Sequence, residues 1–356
     1  MLVTALSFIF VLGVLIFIHE LGHFIVAKRV GIRVETFSLG FPPTIASKKY
    51  GETTYALGII PLGGYVKMAG ENPDDKMVGA PDEFMSKSVA QRAAVIFAGP
   101  FMNYLLAIVI LIGVFYFTGR PIFDESHVIV GQVVEGDPAY KAGLKTGDQI
   151  VSLDGKVINN YDSLRFAIYS HKDLPLTLSW LHDGDTMSAR ITPRIETVPN
   201  AEGGIDSIGM IGFSEKILGY HKYGLWESAK RGFVTAHVIV YETVLFVKKF
   251  AFGEVSPKLI GGPIFIAQQS GREAEKGPSN LFFFMALLSV NLAILNVLPI
   301  PILDGGHLVF LAAEKIKGSP LSMKTRAIAQ QVGLIFLLFL IVFVTYNDIL
   351  RAFKGF

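Results

Sequence analysis

The chain of 356 residues contains no cysteine. Disulfides and thiolate metal ligands are therefore excluded, and any zinc site must be built from histidine and carboxylate. Charge is also scarce: Asp, Glu, Lys and Arg together make up 17% of the residues. The net charge of +2 gives no reason to expect a nucleic-acid partner, and none is expected. No charged side chain occurs between Met1 and Ile18. That N-terminal run lacks the basic leader and small-residue cleavage site of a signal peptide, so it is expected to be retained. What fills the chain instead is hydrocarbon, with 51% hydrophobic residues and a mean hydropathy of +0.48. That is too apolar for an ordinary soluble globular protein.

Four segments read as membrane-spanning helices: 4–27, 93–117, 281–298 and 332–346. A helix over 4–27 would be about 36 Å long, enough to cross a bilayer. Basic residues mark the loops expected to face the cytoplasm. They are Lys28, Arg29, Arg33, Lys48 and Lys49 after the first helix, Lys87 and Arg92 before the second, and Lys315, Lys317, Lys324 and Arg326 after the third. Both chain ends and the long middle region then face outward, with Arg351 and Lys354 opposing this weakly. The expected domains are a first membrane part over 1–119, a β-rich domain over 120–200, a linker with an amphipathic surface helix over 201–277, and a second membrane part over 278–356. The surface helix is placed at 224–252. A fifth crossing there would reverse the third span and carry Asp304 to the far side from His19.

His19-Glu20-Leu21-Gly22-His23 lies inside the first span. Positions i and i+4 share a helix face, so both imidazoles can reach one metal ion, and Glu20 projects beside them as a base for a metal-activated water. Two imidazoles and a carboxylate are costly in a membrane unless something uses them. A two-histidine zinc site wants a third protein ligand and an open position. The candidate is Asp304, at the end of Asn296-Val297-Leu298-Pro299-Ile300-Pro301-Ile302-Leu303-Asp304. His19 would lie about 27 Å along its helix and Asp304 at most about 35 Å from Leu281, both running inward, so the two can meet. The prolines free backbone groups, which a membrane tolerates only where protein or a cavity covers them. Asn296 could donate a hydrogen bond to substrate backbone or to a developing oxyanion. His307, three residues after Asp304, is a neighbour rather than an expected ligand.

In the middle region, Pro138-Ala139-x-x-Ala142-Gly143-Leu144-x-x-Gly147-Asp148-x-Ile150 resembles bacterial PDZ domains, which bind extended peptide along a sheet edge. The turn His182-Asp183-Gly184-Asp185 separates two later strands.

Taken together, His-Glu-x-x-His in the first span, Asn-x-x-Pro-x-Pro-x-Leu-Asp-Gly after the third, and a PDZ-like domain between resemble the site-2 protease family, nearest to the bacterial regulator-of-sigma-E protease type. The resemblance covers nearly the whole chain. It implies an α-helical integral membrane protein of the bacterial inner membrane, with four transmembrane helices, an extracytoplasmic PDZ-like domain and a membrane-associated β-hairpin. It implies one Zn²⁺ held by His19, His23 and Asp304, with Glu20 as base, near the cytoplasmic side. Asn296, Pro299 and Pro301 would position substrate, and Asn103, in the Gly99-Pro100-x-x-Asn103 motif of the second span, would line the site. The expected substrates are single-span membrane proteins, such as anti-sigma-factor-like proteins and remnant signal peptides. One departure is that familiar members of this type carry two tandem PDZ domains, and one is legible here.

A helical substrate must unwind before it can be cut, and its freed amides need partners. Residues 53–60 followed by 61–68 read as a glycine-punctuated hairpin, and its edge at Tyr65 and Val66 is expected to pair with the unwound substrate. Two rival readings are a transporter using His and Asp as pathway groups, and a scaffold whose working part is the PDZ-like domain. The transporter would need more intramembrane charge on several helices and no outer peptide-binding domain, and the scaffold would leave Glu20 without purpose; Glu20→Gln separates both from a protease.

Overall fold

The computed structural model describes residues 1–71, 79–199 and 205–354. It divides into two compact units. One comprises 1–114, 225–247 and 260–350, and the other chiefly 115–224 with 248–259.

The first unit opens with helix α1, Leu2–Arg29, which ends in Lys28 and Arg29, the sign of charge a helix C-terminus favours. Strands β1 (Val34–Tyr50) and β2 (Thr53–Met68) follow, joined at Gly51–Glu52. The chain reversal expected within 53–68 is present, but its two halves do not pair with each other. Thr36, Phe37, Ser38 and Leu39 lie between them, meeting Thr54–Leu57 on one side and Gly64–Lys67 on the other. The hairpin reading is therefore corrected. The Pro61–Gly64 stretch is a wide turn around an intervening strand, and such pairing across about 30 residues leaves no local signal. Residues 64–68 form one edge of this sheet.

Helix α2, Val89–Phe117, starts four residues before the expected position. Ser88 and Gln91 cause this: Gln91 N–H donates to Ser88 Oγ at 3.3 Å, and Ser88 N–H donates to Gln91 Oε1 at 3.1 Å. This reciprocal capping box satisfies donors that the first turn leaves open.

In the second unit the strands are β3 (Arg120–Ile122), β4 (Val128–Val133), β5 (Gln149–Leu153), β6 (Lys156–Val157), β7 (Leu176–His182), β8 (Asp185–Ile191), β9 (Arg194–Pro199), β10 (Ile205–Met210), β11 (Phe213–Glu215) and β12 (Gly219–His221). Helices α3 (Pro138–Lys141) and α4 (Tyr161–Ser170) accompany them. The main sheet runs β11-β4-β5-β7-β8, with β6 beside β5. Alternation is visible in β7: Leu176, Leu178 and Trp180 are buried with Val128, Val130, Ile150 and Leu164, while Thr177 faces outward. The β7–β8 turn is as read from the sequence, with Asp183 and Gly184 both at positive φ as a tight hairpin turn requires. The sheet does not close within 120–200, because its end strand comes from Phe213–Glu215. Three residues carry too little pattern to reveal a partner some 80 positions away.

Back in the first unit, α5 (Leu225–Ala251) buries Ala236 and Ile239 against Ala107 and Leu111 of α2 and against Ala286 and Val290. Thr243 Oγ1 donates to Asn291 Oδ1 at 2.7 Å. Helix α6 (Pro263–Glu275) places Gly271 against Thr4 of α1. Helices α7 (Pro278–Val297), α8 (Asp304–Lys317) and α9 (Met323–Lys354) complete the chain. Ser322 Oγ accepts from Thr325 N–H at 3.1 Å and starts α9 well before its apolar stretch. Among the described residues, four helices are long and apolar enough to cross a membrane: Leu2–Arg29, Val89–Phe117, Pro278–Val297 and Lys324–Arg351. They contain the four segments expected, apart from one residue at the end of the third.

Candidate metal centre

His19 and His23 occupy successive turns of α1 on its buried face. Their Nε2 atoms are 3.1 Å apart. Asp304, the first residue of α8, brings Oδ2 to 3.2 Å from His19 Nε2 and 3.7 Å from His23 Nε2. Bonds of about 2.0 Å to a tetrahedral ion would separate ligand atoms by about 3.3 Å, so the three atoms stand where metal ligands stand. Asp304 Oδ2 is buried and accepts no hydrogen bond. A carboxylate oxygen in that state is costly unless a cation completes it. The donors are two imidazoles and a carboxylate, a set suited to zinc. Among the described residues this is the cluster that could hold a metal ion.

Backbone geometry sets this convergence. At Gly99 in α2, a Cβ would overlap His23 Nε2 and crowd His19 Cε1 at 2.8 Å, so only glycine lets both rings lie against α2. His23 Nδ1 donates to the Val95 carbonyl at 2.9 Å, which leaves its Nε2 lone pair facing Asp304. At the other end, Pro299 and Pro301 turn the chain from α7 into α8. Side chains at Gly305 and Gly306 would collide with the carbonyls of Val297, Leu298 and Ile300. The glycine pair presses the first turn of α8 onto that proline turn and so sets the position of Asp304.

A cavity of about 380 Å³ opens onto the three residues. Glu20 lines it, beside the edge strand Gly64, Tyr65, Val66 and Met68. The Val66 backbone N–H reaches the Glu20 carboxylate. The Met68 N–H donates to Glu71 Oε2 at 3.2 Å. The expected site residues thus divide. His19, Glu20, His23, Asp304, Tyr65 and Val66 share one cavity, whereas Asn103, Asn296, Pro299 and Pro301 are not on its wall. Asn103 is fully buried behind His19, with Nδ2 at 3.3 Å from His19 Nδ1. Asn296 is half-buried in the last turn of α7.

Sequence reading missed other members of the cavity. Glu71, Arg92 and Arg326 line it. His307, expected as a neighbour of Asp304, lines the cavity too, since position i+3 on a helix shares its face. Burial pushes its imidazole below the ordinary histidine range, favouring the neutral ring. Arg92 had no local signal, because its partner Glu314 is 222 positions away.

The pattern of peptidase family M50 matches residues 7–340. A relative from Rhizobium meliloti (strain 1021), named as a candidate zinc metalloprotease, is 34% identical over 97% of this chain and 96% of its own length. A similarly named relative from Clostridium perfringens is 36% identical over 94% and 95%. Zinc metalloprotease RasP of Geobacillus kaustophilus is 29% identical over 98% of each chain. A solved PDZ domain from Listeria innocua covers 27% of this chain and 99% of its own, at 24% identity and a TM-score of 0.21. Given the family match over most of its length, the chain belongs to peptidase family M50, and it is a zinc metalloprotease with helices suited to a membrane.

Proposed function

We propose that this protease cuts peptide bonds inside the transmembrane segments of single-span membrane proteins, with His19, His23 and Asp304 as zinc ligands and Glu20 as the general base. The observation that carries this is the position of the triad. His19 and His23 lie on a membrane-length helix, Asp304 opens α8, and Glu20 lies against the edge strand 64–68 in the cavity they all line. Bound zinc would supply Lewis acidity and acidify a water. Glu20 stands to take a proton from water and return it to the leaving amine. The Val66 N–H holds the Glu20 carboxylate toward the cavity. The strand at 64–68 offers backbone groups to a substrate stretched out of its helix. The two prolines act from behind the wall, by turning the chain that carries Asp304.

By this reading the protein sits in the bacterial inner membrane, with the β-rich unit outside and the zinc site near the cytoplasmic face. The basic residues of the short loops support that orientation. Suitable substrates are anti-sigma-factor-like proteins and remnant signal peptides, and the PDZ-like unit takes an extended peptide at its edge strand β11. The test is incubation of the purified protein in detergent with a single-span helical substrate, with and without a zinc chelator. Cleavage within the span that stops on chelation and returns with zinc supports the proposal. Cleavage confined to the soluble flanks of the substrate would overturn it.

A further inference from the structure

Asn103 is fully buried in α2, and its side-chain Oδ1 has no hydrogen-bond partner. Its Nδ2 stands 3.3 Å from His19 Nδ1. Its backbone carbonyl accepts from Ser289 Oγ of α7 at 2.7 Å, which ties this point of α2 to a second span. A buried amide oxygen without a donor costs free energy, so the arrangement calls for an account.

The state of His19 provides it. If Nε2 faces a metal together with His23 and Asp304, the proton of a neutral imidazole must sit on Nδ1. An Nδ1–H beside an amide NH₂ sets donor against donor. Half a turn of the Asn103 amide keeps its shape and puts Oδ1 where Nδ2 stands. Oδ1 then gains the donor it lacks, and Nδ1–H gains an acceptor. His23 already shows the same logic with the Val95 carbonyl, which can only accept.

We infer that Asn103 is a positioning residue: its Oδ1 accepts from His19 Nδ1–H and thereby fixes the tautomer and ring orientation that point His19 Nε2 at the metal. This rests on the ligand assignment proposed above. It replaces the expectation that Asn103 lines the site.

The test is zinc affinity of the purified full chain, measured by competition with a chromophoric chelator, for the wild type, Asn103→Asp and Asn103→Leu. Aspartate keeps an acceptor and the shape, whereas leucine keeps the approximate shape and has no acceptor. The expected result is affinity within about threefold of wild type for Asn103→Asp and a loss of about 10–100-fold for Asn103→Leu. The visible spectrum of the cobalt-loaded protein should be retained in the aspartate variant. Loss of zinc in Asn103→Asp would overturn the inference, because it would mean that Asn103 donates to a bare Nδ1. Wild-type affinity in Asn103→Leu would overturn it equally. If the leucine variant does not fold, the aspartate variant alone decides between acceptor and donor. His23→Ala is the separate control: if it binds zinc like wild type, the ligand assignment itself fails, whatever Asn103 does.

Discussion

Arg92 of α2 and Glu314 of α8 form a buried two-pronged ion pair, with Arg92 Nη1 donating to Glu314 Oε2 at 3.1 Å and Nη2 donating to Oε1. Their side chains are 5% and 7% exposed, so the pair is nearly out of reach of solvent. Arg326 of α9 stands 3.4 Å from the same carboxylate. Three helices that share no local sequence meet at this group, beside the cavity of the metal centre.

Breaking such a pair is expected to do more harm than removing it. Arg92→Leu strands a buried carboxylate and should destabilise the protein by about 3 kcal/mol, toward the low end for buried pairs because Arg326 remains nearby. Adding Glu314→Leu should restore much of that loss. Denaturant unfolding in detergent measures both. A single variant as stable as wild type would show that Arg326 alone satisfies Glu314.

Glu20→Gln removes the base and keeps the shape. Cleavage is expected to fall by roughly 10²–10⁴-fold while zinc content stays at that of the wild type. Rates on a single-span substrate and metal analysis of the same preparation check it. Unchanged cleavage would remove Glu20 from the chemistry.

Gly99→Ala pushes a methyl group into the space of His23 Nε2. Zinc affinity should drop at least about 10-fold. Gly113→Ala in the same helix meets nothing within 4 Å and serves as the control, with unchanged affinity. Equal affinity in the two variants would show that α2 yields without disturbing the ligands.

Val66→Pro deletes the N–H that reaches Glu20 and breaks the edge facing the cavity. Cleavage should fall by roughly 10²-fold, as expected when a reacting group is misplaced by about an ångström. Zinc should remain bound, since the proposed ligands come from α1 and α8 and none from this strand. Wild-type activity in this variant would end the proposal that the edge receives substrate.

Much of the centre was legible before any coordinates. His19 and His23 share a helix face by spacing alone, and Asp304 was placed by its position after a proline-broken apolar helix. The four spans were legible because uninterrupted hydrocarbon has few other uses. Less legible were the helix starts, since the caps at Ser88 and Ser322 lie in polar sequence outside the apolar runs. The sheet after α1 was read as a simple hairpin. Strand order is a non-local property, and the Gly-Pro pattern marks where a chain turns without saying what lies between its arms.

The amino-acid order alone determined that two histidines share one face of an apolar helix with a carboxylate beside them, because spacing and hydrocarbon content are each read within a short window. Only the tertiary structure decided that Asn103 stands behind His19 rather than in the cavity, that Glu314 holds Arg92, and that residues 64–68 become an edge facing Glu20. Those relations join residues far apart in the chain, and such contacts are settled by how helices and strands pack, which no local pattern encodes.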